Sequence, residues 1–154
     1  MAAMQDVIRP MTFKDVDSVY DIETKAHIAP WSRGIIHDCV DVGYGCFVLE
    51  SVGNIYAYII LRIACGECHI LNLCVSPEQQ GRGLGKKLLE FSLQLAKKHC
   101  YQATLEVRPS NKAAIALYEG FNFKQVGLRK DYYTGPTGNE DGIILSLQLT
   151  PDKV

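Results

Sequence analysis

The chain has no excess of charge of either sign: sixteen Lys and Arg face seventeen Asp and Glu, a formal net charge of -1. That balance argues against a protein that grips nucleic acid through a strongly basic face. Long apolar runs are missing as well. The most apolar stretch, Ile55 to Cys65, carries Arg62 and falls short of the ~20 residues needed to cross a bilayer, so no membrane segment is expected. The opening Met1-Ala2-Ala3-Met4-Gln5-Asp6 lacks a basic n-region and an apolar core, which argues against a secretory signal there and makes the cytoplasm the expected compartment. Internal repeats and linker-like stretches are absent too, so residues 1–154 are expected to form one domain. What is present is 47% hydrophobic content with 21% charged residues over 154 residues, enough for a core and too apolar for a disordered chain.

Six cysteines stand at 39, 46, 65, 68, 74 and 100. Cys65-Gly66-Glu67-Cys68 is a C-x-x-C followed by His69, yet no second pair stands at zinc-finger spacing. A redox C-x-x-C should open a helix, whereas this one lies between two strand-like runs. The expectation is therefore free thiols in a hairpin and no metal.

Thr12-x-x-Asp15 resembles a capping box, with Asp in place of Glu or Gln, and Phe13, Val16, Val19, Tyr20 and Ala26 recur at helical spacing behind it. Pro30 ends any short helix after His27, and Trp31-Ser32 opens another helical segment. Strands are expected from Cys46 to Glu50, Ile55 to Ala64 and Cys68 to Val75, an antiparallel meander turning at Val52-Gly53-Asn54. A glycine-rich turn, Gln80-Gly81-Arg82-Gly83-Leu84-Gly85, leads into an amphipathic helix marked by Leu84, Leu88, Leu89, Phe91, Leu95 and Ala96 and ending near Lys98. Ala103 to Val107 reads as a strand, and Ser110 caps a helix through Tyr118. Phe123 to Leu128 and Ile143 to Leu149 read as closing strands around a loop from Thr134 to Gly142. The predicted class is α/β (α+β), a mixed, mostly antiparallel sheet flanked by helices in the order α(α)βββαβαββ.

A strand, a glycine-rich turn and a helix make an anion site, because backbone N–H groups converge where the helix N-terminus adds about half a positive charge. A pyrophosphate is the natural guest; a tight turn that binds nothing is the bland alternative. A dinucleotide-binding fold fits poorly. Glu106 stands where a ribose-binding acid would, but the spacing is Gly81-x-Gly83-x-Gly85 rather than G-x-G-x-x-G, and the turn follows an antiparallel meander.

Val75-x-Pro77-x-x-Gln80-x-x-Gly83-x-Gly85 resembles the acetyl-CoA signature of the GCN5-related N-acetyltransferases (GNAT), and the element order is similar to that fold along nearly the whole chain. The resemblance implies acetyl-CoA as co-substrate. It implies that Leu73, Cys74 and Val75, then Gly81, Arg82, Gly83, Leu84, Gly85 and Lys86, hold the cofactor. Arg82 and Lys86 are either phosphate ligands or solvated surface charge. The run from Leu105 to Glu119 resembles the RimI branch of that family, which acetylates the N-terminal alanine of a ribosomal protein. Ala26-His27-x-x-Pro30-Trp31-Ser32, Arg129-Lys130-Asp131-Tyr132-Tyr133 and Glu140-Asp141-Gly142-Ile143-Ile144 resemble it too. The implied partner is the N-terminal peptide of ribosomal protein eighteen of the small subunit, with a lysine, polyamine or other small amine as the alternative acceptor and a non-catalytic acyl-CoA-binding module as a third reading.

The resemblance makes Glu106 the proton acceptor, Tyr118 the proton donor and Asn111 a CoA contact, with Trp31, Tyr132 and Tyr133 bordering the acceptor groove. Trp31 could equally be core, and Asn111 a helix cap. An α-amino group of pKa ~7.7–8.0 costs about 1 kcal/mol to deprotonate at pH 7, against roughly 4.6 kcal/mol for a lysine, so one carboxylate suffices as base. A phenol with pKa near ~10 keeps its proton for a departing thiolate. Asn111, Ile115 and Tyr118 share one helix face, the outer two ~10.5 Å apart along it. His27 and His69 read as structural. Cys74 is the nucleophile of a ping-pong rival, with no histidine partner evident in sequence. Carbonyl polarisation needs a backbone N–H near Cys74 or Val75. Asn122 stands where relatives often have glycine; as the residue after Gly best suited to a left-handed cap, it should preserve the fold.

Overall fold

A computed structural model describes residues 5–150; Met1 to Met4, at the opening of the chain, lie outside them. In chain order the elements are β1 (Asp6–Pro10), α1 (Val16–Ala26), α2 (Arg33–Asp41), β2 (Gly45–Ser51), β3 (Asn54–Ala64), β4 (Glu67–Val75), α3 (Leu84–Lys97), β5 (Gln102–Val107), α4 (Lys112–Gly120), β6 (Lys124–Tyr133) and β7 (Glu140–Gln148). The seven strands form one sheet in the order β1-β2-β3-β4-β5-β7-β6. Among the described residues only β4 and β5 pair in parallel; the other pairs are antiparallel.

The expected order lacks the first strand. Asp6-Val7-Ile8-Arg9-Pro10 is too short and too charged to declare itself, and as an edge strand it pairs only with β2. Its last residue is a proline, tolerated at an edge. Arg9 holds it down: the guanidinium meets Asp15 at 2.8 Å and Glu50 at 3.2 Å. Asp15 in turn accepts from the Thr12 N–H at 2.8 Å, the contact that the Thr12-x-x-Asp15 spacing implied.

Both hairpin turns in the meander use left-handed residues, Val52 (φ 52) with Gly53 and Cys65 (φ 53) with Gly66, the backbone that lets a two-residue turn follow the strand twist. Cys65 is therefore exposed at a turn, while Cys68 is buried on β4 and its thiol is pushed up to about 12 by desolvation.

The sheet buries both faces. One core joins Leu49, Ile59, Leu61 and Leu105 to Leu84, Leu88, Leu89, Leu93 and Ala96 of α3. Phe91 and Leu95, expected on that stripe, flank it half-buried, and Phe91 meets Phe47 edge-on at 5.0 Å. The other core joins Val16, Val19, Ile22 and Ile36 of α1 and α2 to Val48, Tyr58 and Ile60. Each buried Leu, Ile or Val among them contributes roughly 1.5–3 kcal/mol by leaving water.

A break in β4 decides what each face carries. The register with β3 jumps from Leu61↔Ile70 to Ile60↔Asn72, leaving Leu71 unmatched. A one-residue insertion reverses the facing of everything beyond it. Cys68 and Ile70 belong to the α3 core, yet Cys74 belongs to the α1–α2 core.

Asn111, not Ser110, caps α4, its side-chain oxygen accepting from the Ala114 N–H at 3.2 Å. Asn122 takes the left-handed conformation (φ 72) after the helix, and the Phe123 N–H returns to the Tyr118 carbonyl at 3.1 Å. Strand β6 runs on to Tyr133, beyond the expected end at Leu128, and β7 begins at Glu140, so the connecting loop spans only 134–139.

Candidate active site

The parallel pairing of β4 with β5 stops at Ile70↔Leu105, and past that point the two strands are not paired. Two cavities lie at this parting.

The first is a cleft of about 550 Å³ between the end of β4, the glycine turn and α4. Leu73, Cys74 and Val75 form one wall, Gly81, Gly83, Leu84, Gly85 and Lys86 the rim, and Asn111, Ala114 and Leu117 the opposite wall. Gly81 and Gly83 have φ of +84 and +76, with open space where a β-carbon would stand. No side chain caps α3, so its first-turn N–H groups remain available as donors. Bare backbone, free amides and a lysine are a donor set that fits a pyrophosphate.

The second cavity, about 150 Å³, is lined by Glu23, His27, Trp31, Asn72, Glu106 and Tyr133 among others. His27, Leu73, Arg108, Asn111, Ala114 and Tyr118 line both. A group bound in the cleft and an amine in the smaller cavity would therefore meet at a common wall that includes the Tyr118 ring.

Glu106 is mostly covered, with its side chain 16% exposed. His69 Nε2 lies 2.7 Å from its Oε2, and Arg129 Nη1 3.7 Å from its Oε1. The hydrogen bond to His69, aided by the positive field of Arg129 and Arg62, holds the Glu106 carboxyl below the usual glutamate range against the opposing effect of burial. It is thus ionised at neutral pH. Tyr118 is 6% exposed and packs edge-on against Phe123 at 5.6 Å. Desolvation, with Tyr133 nearby, raises its phenol above the ordinary range, so it keeps its proton.

A buried carboxylate shapes the other side. Glu23, 1% exposed, accepts from the Trp31 N–H at 2.9 Å, from Asn72 Nδ2 at 2.8 Å and from the Tyr58 hydroxyl. His27 Nε2 lies 3.3 Å from Glu23 Oε1 but makes no hydrogen bond. These contacts tie the last turn of α1, the 27–32 loop, β3 and β4 together. Across the cavity, Arg108 donates to the Thr134 carbonyl at 2.7 Å and stacks 4.5 Å from the Tyr133 ring centre. Glu140 accepts from the Ser110 hydroxyl at 2.8 Å, which fastens the start of β7 to the approach to α4.

The acetyltransferase (GNAT) family model matches residues 13–123. The chain belongs to this family. It is 36% identical over 146 residues to the [ribosomal protein bS18]-alanine N-acetyltransferase of Escherichia coli K12, covering 94% of this chain and 99% of that one. The crystal structure of the E. coli ribosomal-protein-S18-alanine N-acetyltransferase superposes with a TM-score of 0.90 at 34% identity, covering 97% of each chain. Arabidopsis thaliana NAA60 in complex with acetyl-CoA shares the fold, with a TM-score of 0.82 at 16% identity over 94% of this chain and 98% of that one.

Within this GNAT fold, most of the expected site residues surround the two cavities, and the exceptions have physical reasons. Arg82 lies outside the cleft lining: its guanidinium bonds Gln79 Oε1 and lies 5.9 Å from the Tyr56 ring centre. Between two left-handed glycines the amides converge on one side and the intervening side chain leaves on the other. Tyr132 is likewise outside, 45% exposed and stacked on Arg129 at 4.4 Å; adjacent strand residues face opposite ways, and Tyr133 faces in. Along α4 the cleft is lined by Asn111, Ala113, Ala114, Leu117 and Tyr118, whereas Ile115 lies outside that lining and packs toward the core. Trp31 lines the smaller cavity as well as packing against the α1–α2 core. Cys74 has the neighbours that sequence did not show: Glu23, His27 and Cys74 each place a ligand-type atom within 4.8 Å of the others. Its thiol is nevertheless pushed up to about 12 by burial.

The sequence alone assigns no role to Glu23, Arg108 or Glu140, and it reads His69 as structural. A glutamate amid the apolar positions of α1 was the one available signal for Glu23. No local pattern could pair His69 with Glu106.

Proposed function

We propose that this protein transfers the acetyl group of acetyl-CoA to the N-terminal amine of a protein beginning with alanine, namely ribosomal protein bS18, the substrate in the name of the E. coli relative. The observation that carries this reading is the shared wall: an ionised carboxylate, Glu106, in a small acceptor cavity that opens onto a cofactor-sized cleft beside Tyr118.

Acetyl-CoA, when bound, supplies an acyl group activated as a thioester. Leu73 to Val75, Gly81, Gly83 to Lys86 and Asn111 hold it in the cleft. Asn111 spends its side-chain oxygen on the helix cap and keeps its amide for the ligand. Glu106 takes the proton that the substrate ammonium must shed, directly or through a water. The amine nitrogen bonds to the acyl carbon, the carbon–sulfur bond breaks and Tyr118 gives its proton to the departing sulfur. The second proton, lost by the nitrogen as it becomes an amide, restores the Tyr118 phenol directly or through a water. Trp31 and Tyr133 wall the acceptor. The cytoplasm is the compartment of this activity, and the reaction as written uses no metal.

The Cys74–His27–Glu23 grouping favours a ping-pong alternative, but a thiol held near 12 supplies almost no thiolate at neutral pH. Direct attack is the better reading. Mass spectrometry of two peptides tests it, one with a free N-terminal alanine followed by arginine, the other N-blocked with an internal lysine. Acetylation of the first alone, lost in Glu106→Gln, supports the proposal. Acetylation of the second alone overturns the acceptor assignment.

A further inference from the structure

Glu106 stands at the first residue of β5 beyond the parallel pairing with β4, where no neighbouring strand on that side braces it. The jump in register at Leu71 affects β4 only past His69, so His69 keeps its alignment with Thr104 and faces the same side of the sheet as Glu106. The outcome is a 2.7 Å contact between His69 Nε2 and Glu106 Oε2, with the two side chains 24% and 16% exposed. The other polar approach to this carboxylate, Arg129 at 3.7 Å, is longer, and its side chain is 52% exposed.

We propose that His69 is a positioning residue for the transfer, its Nε2–H pinning the Glu106 carboxylate at the wall of the acceptor cavity. This rests on the reading of Glu106 as proton acceptor. A glutamate carboxylate on three rotatable bonds would otherwise swing toward Arg129, and a misplacement of about 1 Å can cost ~100-fold in rate. The groups that face Glu106 are His69 from β4, Arg62 from β3, and Arg129 and Tyr133 from β6. All three basic groups favour the ionised carboxylate, and His69 has the largest effect. Stabilising that charge alone makes Glu106 a weaker base, so the benefit of His69 is geometric: it fixes where the proton is accepted. The arrangement follows the general pattern of a base oriented by a third group.

The test is steady-state kinetics of acetyl-CoA with a peptide beginning Ala-Arg, for His69→Phe, His69→Gln, Glu106→Gln and the double variant His69→Phe/Glu106→Gln, with thermal melts as a fold control. In His69→Phe, kcat falls ~10–100-fold while the KM for acetyl-CoA stays within ~2-fold, because the cleft residues are untouched. His69→Gln, whose amide N–H reaches the same position, regains most of the loss. In the Glu106→Gln background His69→Phe adds little, as expected of groups that act as a unit. Carbon-13 NMR of the Glu106 carboxyl shows its titration midpoint moving up in His69→Phe. Unchanged kcat in a folded His69→Phe, equal damage in His69→Gln, or an unmoved midpoint would each overturn the proposal. If His69→Phe does not fold, His69→Ser, too short to reach Glu106, takes its place in every arm. Full activity in Glu106→Gln would instead remove the base reading on which the proposal stands.

Discussion

Replacing Glu23 should destabilise the protein more than any other single polar change in the wall of the smaller cavity. The side chain is 1% exposed and its two oxygens accept three hydrogen bonds: Tyr58 and Asn72 on Oε1, the Trp31 N–H on Oε2. Burial raises the Tyr58 phenol far above its usual range, so it remains a donor. In Glu23→Gln the amide can satisfy Tyr58 and Asn72 through its oxygen only by turning its NH2 at the Trp31 N–H, stranding a donor on each side. At ~1–3 kcal/mol per stranded group, the expected loss is about 2–4 kcal/mol. Glu23→Ala strands all three donors and leaves a void, for about 3–5 kcal/mol. Urea denaturation at pH 7 measures both; with a slope of ~1–3 kcal/mol per molar, the midpoint should fall by ~1–2 M or more. Tyr58→Phe should cost less in the Glu23→Ala background than in the native protein, because its partner is already gone. A midpoint shift in Glu23→Ala worth under ~1 kcal/mol would refute the reasoning, since no buried carboxylate with three donors can be that cheap to remove.

Tyr118→Phe keeps the ring and its contact with Phe123 and loses only the hydroxyl, so kcat should drop by ~10²-fold or more with little change in the melting temperature; comparable turnover would remove Tyr118 as proton donor. Val52, β-branched and 68% exposed, sits at φ 52, a conformation that costs ~1–2 kcal/mol for such a residue. Val52→Asn before Gly53 should stabilise by about 1 kcal/mol in urea denaturation, and a loss of stability would show that the turn is not left-handed there. Arg9, chiefly through its hydrogen bond, depresses the Asp15 carboxyl, so the stabilisation is complete above the unfolded pKa of ~3.9 and disappears as pH falls through the lower folded value. The stability gap between the native protein and Asp15→Asn should therefore hold steady from pH 7 to about pH 5 and close only below about pH 4.

Much of the site was legible because its parts are contiguous. The run from Val75 to Lys86 carries its own anion-binding geometry: two glycines set the left-handed turns, and a helix begins immediately after them. The α4 segment from Asn111 to Tyr118 is likewise local, since helical periodicity alone places cap, small residues and phenol along one side. Even the left-handed Asn122 follows from which side chains tolerate that conformation.

The remainder depended on residues far apart in sequence. The unmatched Leu71 reverses the facing of Asn72 and Cys74, and nothing in the local alternation announces it, because a register jump is a property of two strands together. The short strand at Asp6–Pro10 exists only because β2 offers an edge and Arg9 finds Asp15 and Glu50. Glu23 is buried because Tyr58, Asn72 and the Trp31 amide converge on it from three other segments, and His69 reaches Glu106 because parallel strands set their register across an intervening helix. By itself the sequence determined the fold class and the glycine turn that opens α3, both carried by short-range backbone preference and motif, and its family resemblance singled out Glu106 and Tyr118 as the residues proposed to carry the transfer. Tertiary structure alone decided which polar groups brace the smaller cavity, because that depends on which distant strands and loops meet.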